Sequence, residues 1–257
     1  MAAIAPLTNA QTLLSHYTLD NTLTDSGTLG IDGQLINQAS FVAGGAGSFS
    51  QALSTVDGTQ DFLRAGTLGN PAYGMDAITI SMWVNVSAYS DGDRLVSNLT
   101  SSNGFDLHLK SDNLSDGDYR LAFGFNNTSG AVQSFDNASY QTGEWAFLAV
   151  TYDSAITSGD NVFFYFGDET TSIVMNDSAE KTGSIAMSTS DLEIGGTPAT
   201  GKDRTPTALF NDVRIYNGVL DATALEALRV TAIPEPAHFA ILMGCFVLGL
   251  KSMRRRG

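Results

Sequence analysis

Cysteine and histidine are scarce in this chain. Its 257 residues include one cysteine, Cys245, and three histidines that lie far apart. A single thiol can form neither an internal disulfide nor a cysteine-based zinc site, and the body of the chain has no thiol nucleophile. Three scattered histidines also argue against a clustered histidine metal site.

Positive charge is also scarce, and it is unevenly placed. The chain has 13 Lys and Arg against 27 Asp and Glu, which gives a net charge of −14. Four of the basic residues lie within residues 251–256, so residues 1–233 have 9 basic and 26 acidic residues and a net charge of −17. Such a surface repels phosphate backbones, so we expect no nucleic-acid partner.

Strand patterns dominate the sequence. The segment ITISMWVNV (78–86) alternates apolar and polar residues, with the period of two that is typical of a half-buried strand. Similar segments lie at 105–110, 119–127, 145–153, 161–168, 190–196 and 211–217. The connectors between them are rich in Gly, Asp, Asn and Ser, which favour turns. Short strands separated by such turns predict an all-β protein with two packed sheets.

One segment within the body predicts a helix. In LDATALEALRV (220–230), the apolar residues Leu220, Ala224, Leu225 and Leu228 recur at spacings of three and four. Asp221 precedes this run and is a good N-cap residue. We expect a short helix that packs against the last strand.

Several segments resemble successive blocks of a laminin G-like, concanavalin A-type jelly roll of the bacterial kind. In chain order they are LLSHYTLDNTLTDSGTLGIDG (13–33), TVDGTQDFLR (55–64, similar to one strand of the family), ITISMWVNV, WAFLAVTYD (145–153) and NDVRIYNGVLDATALEAL (211–228). The resemblance implies a two-sheet antiparallel sandwich over residues 13–231. It also implies a carbohydrate or protein adhesion module, whose partner is a polysaccharide or an extracellular matrix component.

Enzymes of this fold that cleave polysaccharides need two carboxylates about 5–9 Å apart. Their E-x-D-x-x-E signature does not occur in the sequence, where the six glutamates lie in separate segments. Asp191 and Glu193 are two acidic residues on the same face of one strand, with no third acid in the pattern. We interpret this face as solvated. We therefore expect no enzymatic activity, with a polysaccharide hydrolase or lyase on the same fold as the alternative.

The resemblance also implies a calcium site and a set of sugar-stacking rings. Members of the superfamily often hold a structural Ca²⁺ between the opening and closing strands, which here suggests Asp20, Asn211 and Asp212 as ligands. Hard oxygen ligands suit Ca²⁺, but turn and edge residues that face water are an alternative explanation for all three. The rings available for stacking on a sugar are Tyr73, Trp83, Tyr89, Tyr140 and Trp145.

The last segment of the chain differs from the acidic body. Residues 232–257 contain Pro234, Glu235 and Pro236, then an apolar run over 237–250, then Lys251, Arg254, Arg255 and Arg256. This order resembles the PEP-CTERM sorting signal of biofilm-forming Gram-negative bacteria. It implies a short transmembrane helix held briefly in the inner membrane, cleavage near Pro-Glu-Pro by an exosortase-like protease, and delivery to the cell surface or extracellular matrix. A plain C-terminal membrane anchor is the alternative.

A sorting signal of this kind presupposes export. Residues 1–12 contain no Lys or Arg and do not form a complete signal peptide. The small residues of AAIAPLT resemble the end of one. We therefore interpret residues 1–12 as the remnant of an export signal or as a disordered leader, and hypothesise that the true start codon lies upstream.

Overall fold

The chain folds into two antiparallel sheets in the computed structural model. The structure describes residues 11–67, 75–100, 102–111, 118–126, 132–133, 140–198 and 202–233. Sheet A contains β1 (Thr12–Tyr17), β3 (Ser40–Ala43), β4 (Gln51–Thr55), β6 (Ala77–Ala88), β11 (Trp145–Asp153), β12 (Val162–Gly167), β13 (Val174–Ala179) and β15 (Thr207–Asn217). Sheet B contains β2 (Gln34–Ile36), β5 (Phe62–Thr67), β7 (Arg94–Ser97), β8 (Phe105–Ser111), β9 (Tyr119–Phe125), β10 (Val132–Gln133) and β14 (Asp191–Ile194).

The strand order shows a sandwich in which distant segments become neighbours. Sheet A runs β13-β12-β11-β6-β15-β4-β3, with β1 also paired to β15, and sheet B runs β10-β9-β8-β7-β14-β5-β2. The inner faces of the two sheets share one apolar core. In sheet A, Ile80 pairs with Val150, and in sheet B, Leu107 pairs with Phe123. The expected all-β two-sheet sandwich is confirmed.

The outer face of sheet A is closed by the predicted helix. Helix α1 (Ala222–Thr231) begins after Asp221, whose side chain accepts a hydrogen bond from the Ala224 amide, so the predicted N-cap is confirmed. The apolar side of the helix covers a second cluster that includes Trp83 and Phe147, whose rings meet edge-to-face at 5.6 Å. Trp83 is therefore a packing residue.

The segment at 55–64 departs from the expected single strand. Thr55 ends β4 in sheet A, residues 57–60 form a turn, and Phe62 begins β5 in sheet B. Gly58 and Gln60 in this turn have positive φ angles of 84° and 52°. A change of direction and of sheet therefore divides the segment, and its resemblance to one strand was misleading.

The side chain of Asn211 joins four segments of the sandwich. Its Nδ2 donates hydrogen bonds to the carbonyl oxygens of Thr18, Leu19 and Gln51 at 3.2, 3.2 and 2.9 Å. Its Oδ1 accepts a hydrogen bond from the Ala46 amide at 3.1 Å. Asn211 is fully buried, so this one carboxamide supplies hydrogen-bond partners for backbone groups of three other segments from inside the fold.

Two expected features lie outside the described residues. They are the sorting tail beyond Ile233, with its apolar helix, and residues 1–10 of the leader. Among the residues that the structure does describe, no helix is long and apolar enough to span a bilayer.

We predict that Asn211→Ala lowers the free energy of unfolding by roughly 2–4 kcal/mol, because buried carbonyls and an amide lose their partner. Urea unfolding at neutral pH measures the change. Asn217→Ala is the matched control, since Asn217 is exposed at the end of the same strand. Equal stability losses in the two variants would contradict this role for Asn211.

Candidate functional site

A pocket of about 310 Å³ opens on the outer side of sheet A. One aromatic ring and several acidic or hydroxyl side chains line it, namely Glu144, Trp145, Asp168, Glu169 and Thr170. They come from two places in the sequence, the start of β11 and the turn between β12 and β13. The fold therefore builds this site from two loops that are separate in the sequence.

Trp145 is held at the first position of β11. It pairs with Asn85 in β6, and the Asn85 side chain donates a hydrogen bond to the Gly143 carbonyl at 3.0 Å. The Gly143 amide in turn donates to the carbonyl of Val86 at 2.7 Å. Trp145 is half-buried against the cluster under α1, so it combines a packed side with a side that faces the pocket.

The turn that carries Asp168 is organised by the Asp168 side chain itself. Asp168 Oδ1 accepts hydrogen bonds from the Thr170 amide, the Thr170 hydroxyl and the Thr171 amide at 2.7, 2.8 and 2.6 Å. Burial tends to raise the pKa of Asp168, but these hydrogen bonds outweigh it and hold the pKa below its usual value. The wall of the pocket therefore carries a fixed negative charge at neutral pH.

Helix α1 secures this turn through Arg229. The guanidinium of Arg229 donates to the Asp168 carbonyl at 2.5 Å and to both carboxylate oxygens of Glu226 at 2.7 and 2.8 Å. Arg229 lowers the pKa of Glu226 to about 2. A Cβ on Gly167 would lie only 2.7 Å from Arg229 Cδ, so only glycine lets the arginine pass this close to the strand.

Glu169 connects the turn to a third segment. Its Oε1 accepts a hydrogen bond from the Gly47 amide at 2.8 Å, and the Ser48 amide donates to the carbonyl of Ala232 at 2.5 Å. Gly47 has a φ of 51°, and a Cβ there would lie 2.0 Å from that carbonyl oxygen. The pocket wall, the 46–49 loop and the end of α1 thus form one connected unit.

The chemistry of this pocket suits a neutral saccharide. An indole ring offers an apolar face for the C–H groups of a sugar ring, and carboxylates accept hydrogen bonds from hydroxyl groups. Three carboxylates close together also repel an anionic ligand. Within the described residues, no group of three or more His, Cys, Asp or Glu side chains is placed to hold a metal ion.

The residues suggested for calcium have other partners. Asp20 Oδ1 accepts from the Ser50 amide, the Ser50 hydroxyl and the Gln51 amide at 3.1, 2.9 and 2.8 Å. Asp212 Oδ1 lies 2.7 Å from His16 Nε2 and 2.9 Å from Arg214 Nη2. Asn211 turns its donor nitrogen toward three carbonyls. In this arrangement the three side chains do not fit one shared Ca²⁺, and a calcium ion stays a prediction.

The candidate rings differ in their surroundings. Trp83 and Tyr140 are buried, and Tyr89 is half-buried with its hydroxyl donating to the Asp118 carbonyl at 2.6 Å. Tyr73 lies outside the described residues. Of the four described rings, Trp145 is the one that lines the pocket. Its acidic neighbours were not predicted, because the sequence shows Asp168, Glu169 and Thr170 only as a polar turn.

The predicted solvated face at Asp191 and Glu193 is wrong for Glu193, which is only 1% exposed. Arg64 lies 2.9 Å from Glu193 Oε1 and 3.3 Å from Asp191 Oδ2, so one guanidinium serves both carboxylates. Burial raises the pKa of Glu193, and its contact with Arg64 opposes that shift. The two residues lie on the outer face of sheet B, away from Trp145.

Comparison with protein families identifies one match. The model of the family Laminin_G_3, described as the concanavalin A-like lectin/glucanases superfamily, matches residues 57–225. No protein of curated function matches the chain.

Solved structures share the architecture at low sequence identity. Domain 4 of AbnA, a GH43 extracellular arabinanase from Geobacillus stearothermophilus solved in complex with arabinotriose, matches with a TM-score of 0.62 and 19% identity, over 86% of this chain and 100% of that one. The botulinum neurotoxin serotype G binding domain matches at 0.60 and 17%, over 85% and 50%. The binding domain of botulinum neurotoxin DC, solved in complex with SialylT, matches at 0.57 and 14%, over 86% and 51%. At these identities the likeness shows the fold.

We predict that Glu226→Gln destabilises the protein at pH 7 and that the difference from the native protein shrinks as the pH falls from about 4.5 toward 2. A lowered carboxyl pKa stabilises the fold above the unfolded pKa, and this contribution disappears once the folded carboxylate is protonated. Urea unfolding of both proteins at pH 7 and pH 3 measures the difference.

Glu180→Gln serves as the control for this experiment, since Glu180 is exposed. A stability difference for Glu226→Gln that stays constant from pH 7 to pH 3 would show that the ion pair between Glu226 and Arg229 does not stabilise the fold.

Proposed function

Since this chain belongs to the concanavalin A-like lectin/glucanases superfamily, we propose that it is a non-catalytic module that binds a neutral saccharide in the pocket at Trp145. The observation that carries this proposal is the half-buried indole of Trp145 beside three carboxylates in one pocket. The site is fixed before a ligand arrives, because hydrogen bonds hold Asp168 and Glu169 in place. A preformed site loses little conformational entropy on binding.

The structural neighbours support a saccharide as the ligand. One of them was solved with arabinotriose and has the same sandwich over its full length. The acidic body, with its net charge of −17 in residues 1–233, and the acidic pocket favour an uncharged sugar. A matrix polysaccharide or another matrix component is therefore the proposed partner, and a structural role in that matrix follows from such binding.

The proposal of a non-catalytic role is supported by the acidic residues of the outer faces. Asp191 and Glu193 share the guanidinium of Arg64, and Asp168 accepts three hydrogen bonds within its own turn. Carboxylates whose oxygens are held by such contacts are suited to orienting neighbouring groups and a bound ligand, and less suited to transferring protons. Hydrolysis or elimination of a polysaccharide is the competing proposal, and the binding experiment below includes a test of it.

The proposed location is outside the cell. The order Pro234, Glu235, Pro236, apolar run and arginine cluster supports sorting by an exosortase-like protease after a brief stay in the inner membrane. The domain would then be released to the cell surface or the matrix without its tail.

We predict that the native protein binds neutral oligosaccharides on a glycan array that includes arabinotriose, and that Trp145→Ala weakens this binding about five- to thirtyfold. Loss of an aromatic stacking surface costs about 1–2 kcal/mol, and 1.4 kcal/mol corresponds to a factor of ten. Titration calorimetry measures the affinities. Trp145→Phe is the matched variant and should retain most of the binding, since it keeps a ring.

Three results would overturn the proposal. The first is that the native protein binds no neutral glycan, and the second is that Trp145→Ala binds the same glycan with unchanged affinity. The third is release of reducing ends or unsaturated sugars from that glycan, which would establish the enzymatic alternative.

We further predict that mass spectrometry of the protein exported by its native host shows a C-terminus close to Pro234–Pro236. Cleavage there removes Lys251 and all three arginines of the tail, so the mature chain is more acidic than the precursor. Recovery of a mature protein that still contains Arg256 would instead support the plain membrane anchor.

A further inference from the structure

Three polar side chains form a hydrogen-bonded row where β1 pairs with β15. The hydroxyl oxygen of Ser26 lies 2.8 Å from Nδ1 of His16, and Nε2 of the same ring lies 2.7 Å from Oδ1 of Asp212. Ser26 is exposed, whereas the side chain of His16 is 16% exposed and that of Asp212 is 1% exposed. The row therefore runs from the surface into the interior, with the hydroxyl at its outer end.

The aspartate determines where a neutral imidazole carries its proton. A carboxylate accepts hydrogen bonds and donates none, so Nε2 of His16 must be the donor to Asp212. Nδ1 then has a lone pair, which accepts the hydrogen bond of the Ser26 hydroxyl. The other acceptor within reach of this hydroxyl is the carbonyl oxygen of His16, which is more distant at 3.3 Å. The ring is therefore oriented to take the proton of Ser26.

The Asp212 carboxylate is fixed in place by β15 itself. Nε and Nη2 of Arg214 lie 3.0 and 2.9 Å from Asp212 Oδ1, and Arg214 is the direct cross-strand partner of His16. The Asp212 amide also donates to the carbonyl of Thr18 at 3.0 Å. If the ring gains a second proton, the resulting imidazolium lies against a buried carboxylate, which stabilises it.

The turn that presents Ser26 is organised by its neighbours. Asp25 Oδ1 accepts hydrogen bonds from the amides of His16 and Gly27 at 2.7 and 2.8 Å. A Cβ on Gly27 would lie 2.3 Å from the carbonyl oxygen of Leu14, so only glycine lets the turn approach β1 this closely. The hydroxyl of Ser26 therefore meets the ring without any rearrangement of the loop.

We propose that Ser26 is a covalent acceptor site for acyl groups, with His16 as its general base and Asp212 as a positioning residue. A hydroxyl beside a base that a third group orients is the arrangement that activates a serine as a nucleophile. Ser26 Oγ forms a bond to the carbonyl carbon of a carboxylic ester, and its proton passes to His16 Nδ1. The bond between that carbon and the alcohol oxygen then breaks, and the proton on Nδ1 passes to the departing oxygen. The products are an acylated Ser26 and a free alcohol.

The amides around Ser26 set the class of ester and the extent of the reaction. The Ser26 amide donates to the carbonyl of His16 and the Gly27 amide donates to Asp25, so neither is free to stabilise an oxyanion. Removal of one such donor costs an enzyme roughly 100- to 1000-fold in rate. We therefore expect the site to need an ester with a good leaving group, such as a phenyl ester, and to take one acyl group per chain. This reaction leaves glycosidic bonds intact and does not depend on sugar binding at Trp145.

The test treats the purified protein with p-nitrophenyl acetate at neutral pH and follows both nitrophenolate release and protein mass. We expect a burst of one nitrophenolate per chain and the mass of one added acetyl group, which peptide mapping places on Ser26. Ser26→Ala should abolish this burst. His16→Gln should slow acetylation of Ser26 about a hundredfold or more, because a general base contributes about 10²–10⁴-fold. Melting curves establish that each variant is folded.

Two controls make this result specific. Ser158→Ala removes another exposed loop serine and should react at the native rate. Trp145→Ala should also react at the native rate, so failure of the sugar pocket and failure of this site give different outcomes.

The tautomer of His16 gives a readout that does not depend on reactivity. Nitrogen NMR of the native protein should show the ring proton on Nε2 and none on Nδ1. Asp212→Asn should weaken this preference, because an amide can donate to the ring as well as accept from it.

Three outcomes would overturn this proposal. They are acetylation of Ser26 that is absent or no faster than that of Ser158, equal acetylation rates in the native protein and folded His16→Gln, and a native His16 ring that carries a proton on Nδ1 at neutral pH.

Discussion

The sandwich depends on the carboxamide of Asn211. Strand β15 lies in the middle of sheet A, where it pairs with β6, β4 and β1. At Asn211 the pairing is interrupted by a bulge, and Asp212 has a φ of 51°. The strand would leave backbone groups without partners at this point, and the carboxamide supplies both donors and an acceptor for them. The opening segment, the 46–49 loop and β4 are thereby fixed to the central strand.

With the core fixed in this way, the two outer faces are free to differ. The outer face of sheet A is apolar near its centre, where α1 covers it, and the pocket lies at its margin. The outer face of sheet B has no such apolar cluster in the described structure, and its charged residues pair with each other across neighbouring strands. The same inner core therefore supports two outer faces of different chemistry.

The sequence predicted local structure well, because local structure depends on neighbouring residues. The strand at 145–153 and the cap at Asp221 have the predicted positions. Period-two patterns also identified the sandwich. They could not separate Trp83 from Trp145, because both rings point outward from sheet A and only α1 decides which of them is covered.

The contacts that build the candidate site could not be predicted from the sequence, because they join residues that are far apart in the chain. Asp168 meets the helix through Arg229, 61 residues later in the chain, and no local pattern encodes that contact. The cross-strand pairing of Lys110 in β8 with Arg120 in β9 depends on strand register, which the alternation of apolar and polar residues alone does not determine. The buried position of Glu193 likewise depends on Arg64 from another strand.

The position of Ile233 has a mechanical consequence. The chain leaves the described domain immediately after α1, and the Ala232 carbonyl holds the Ser48 amide, whose neighbour Gly47 donates to Glu169 in the pocket wall. Tension applied to the chain beyond Ile233 therefore acts first on these short connections and on Arg229. In a domain tethered at its C-terminus, the pocket at Trp145 lies on the load-bearing path, whereas the outer face of sheet B lies off it.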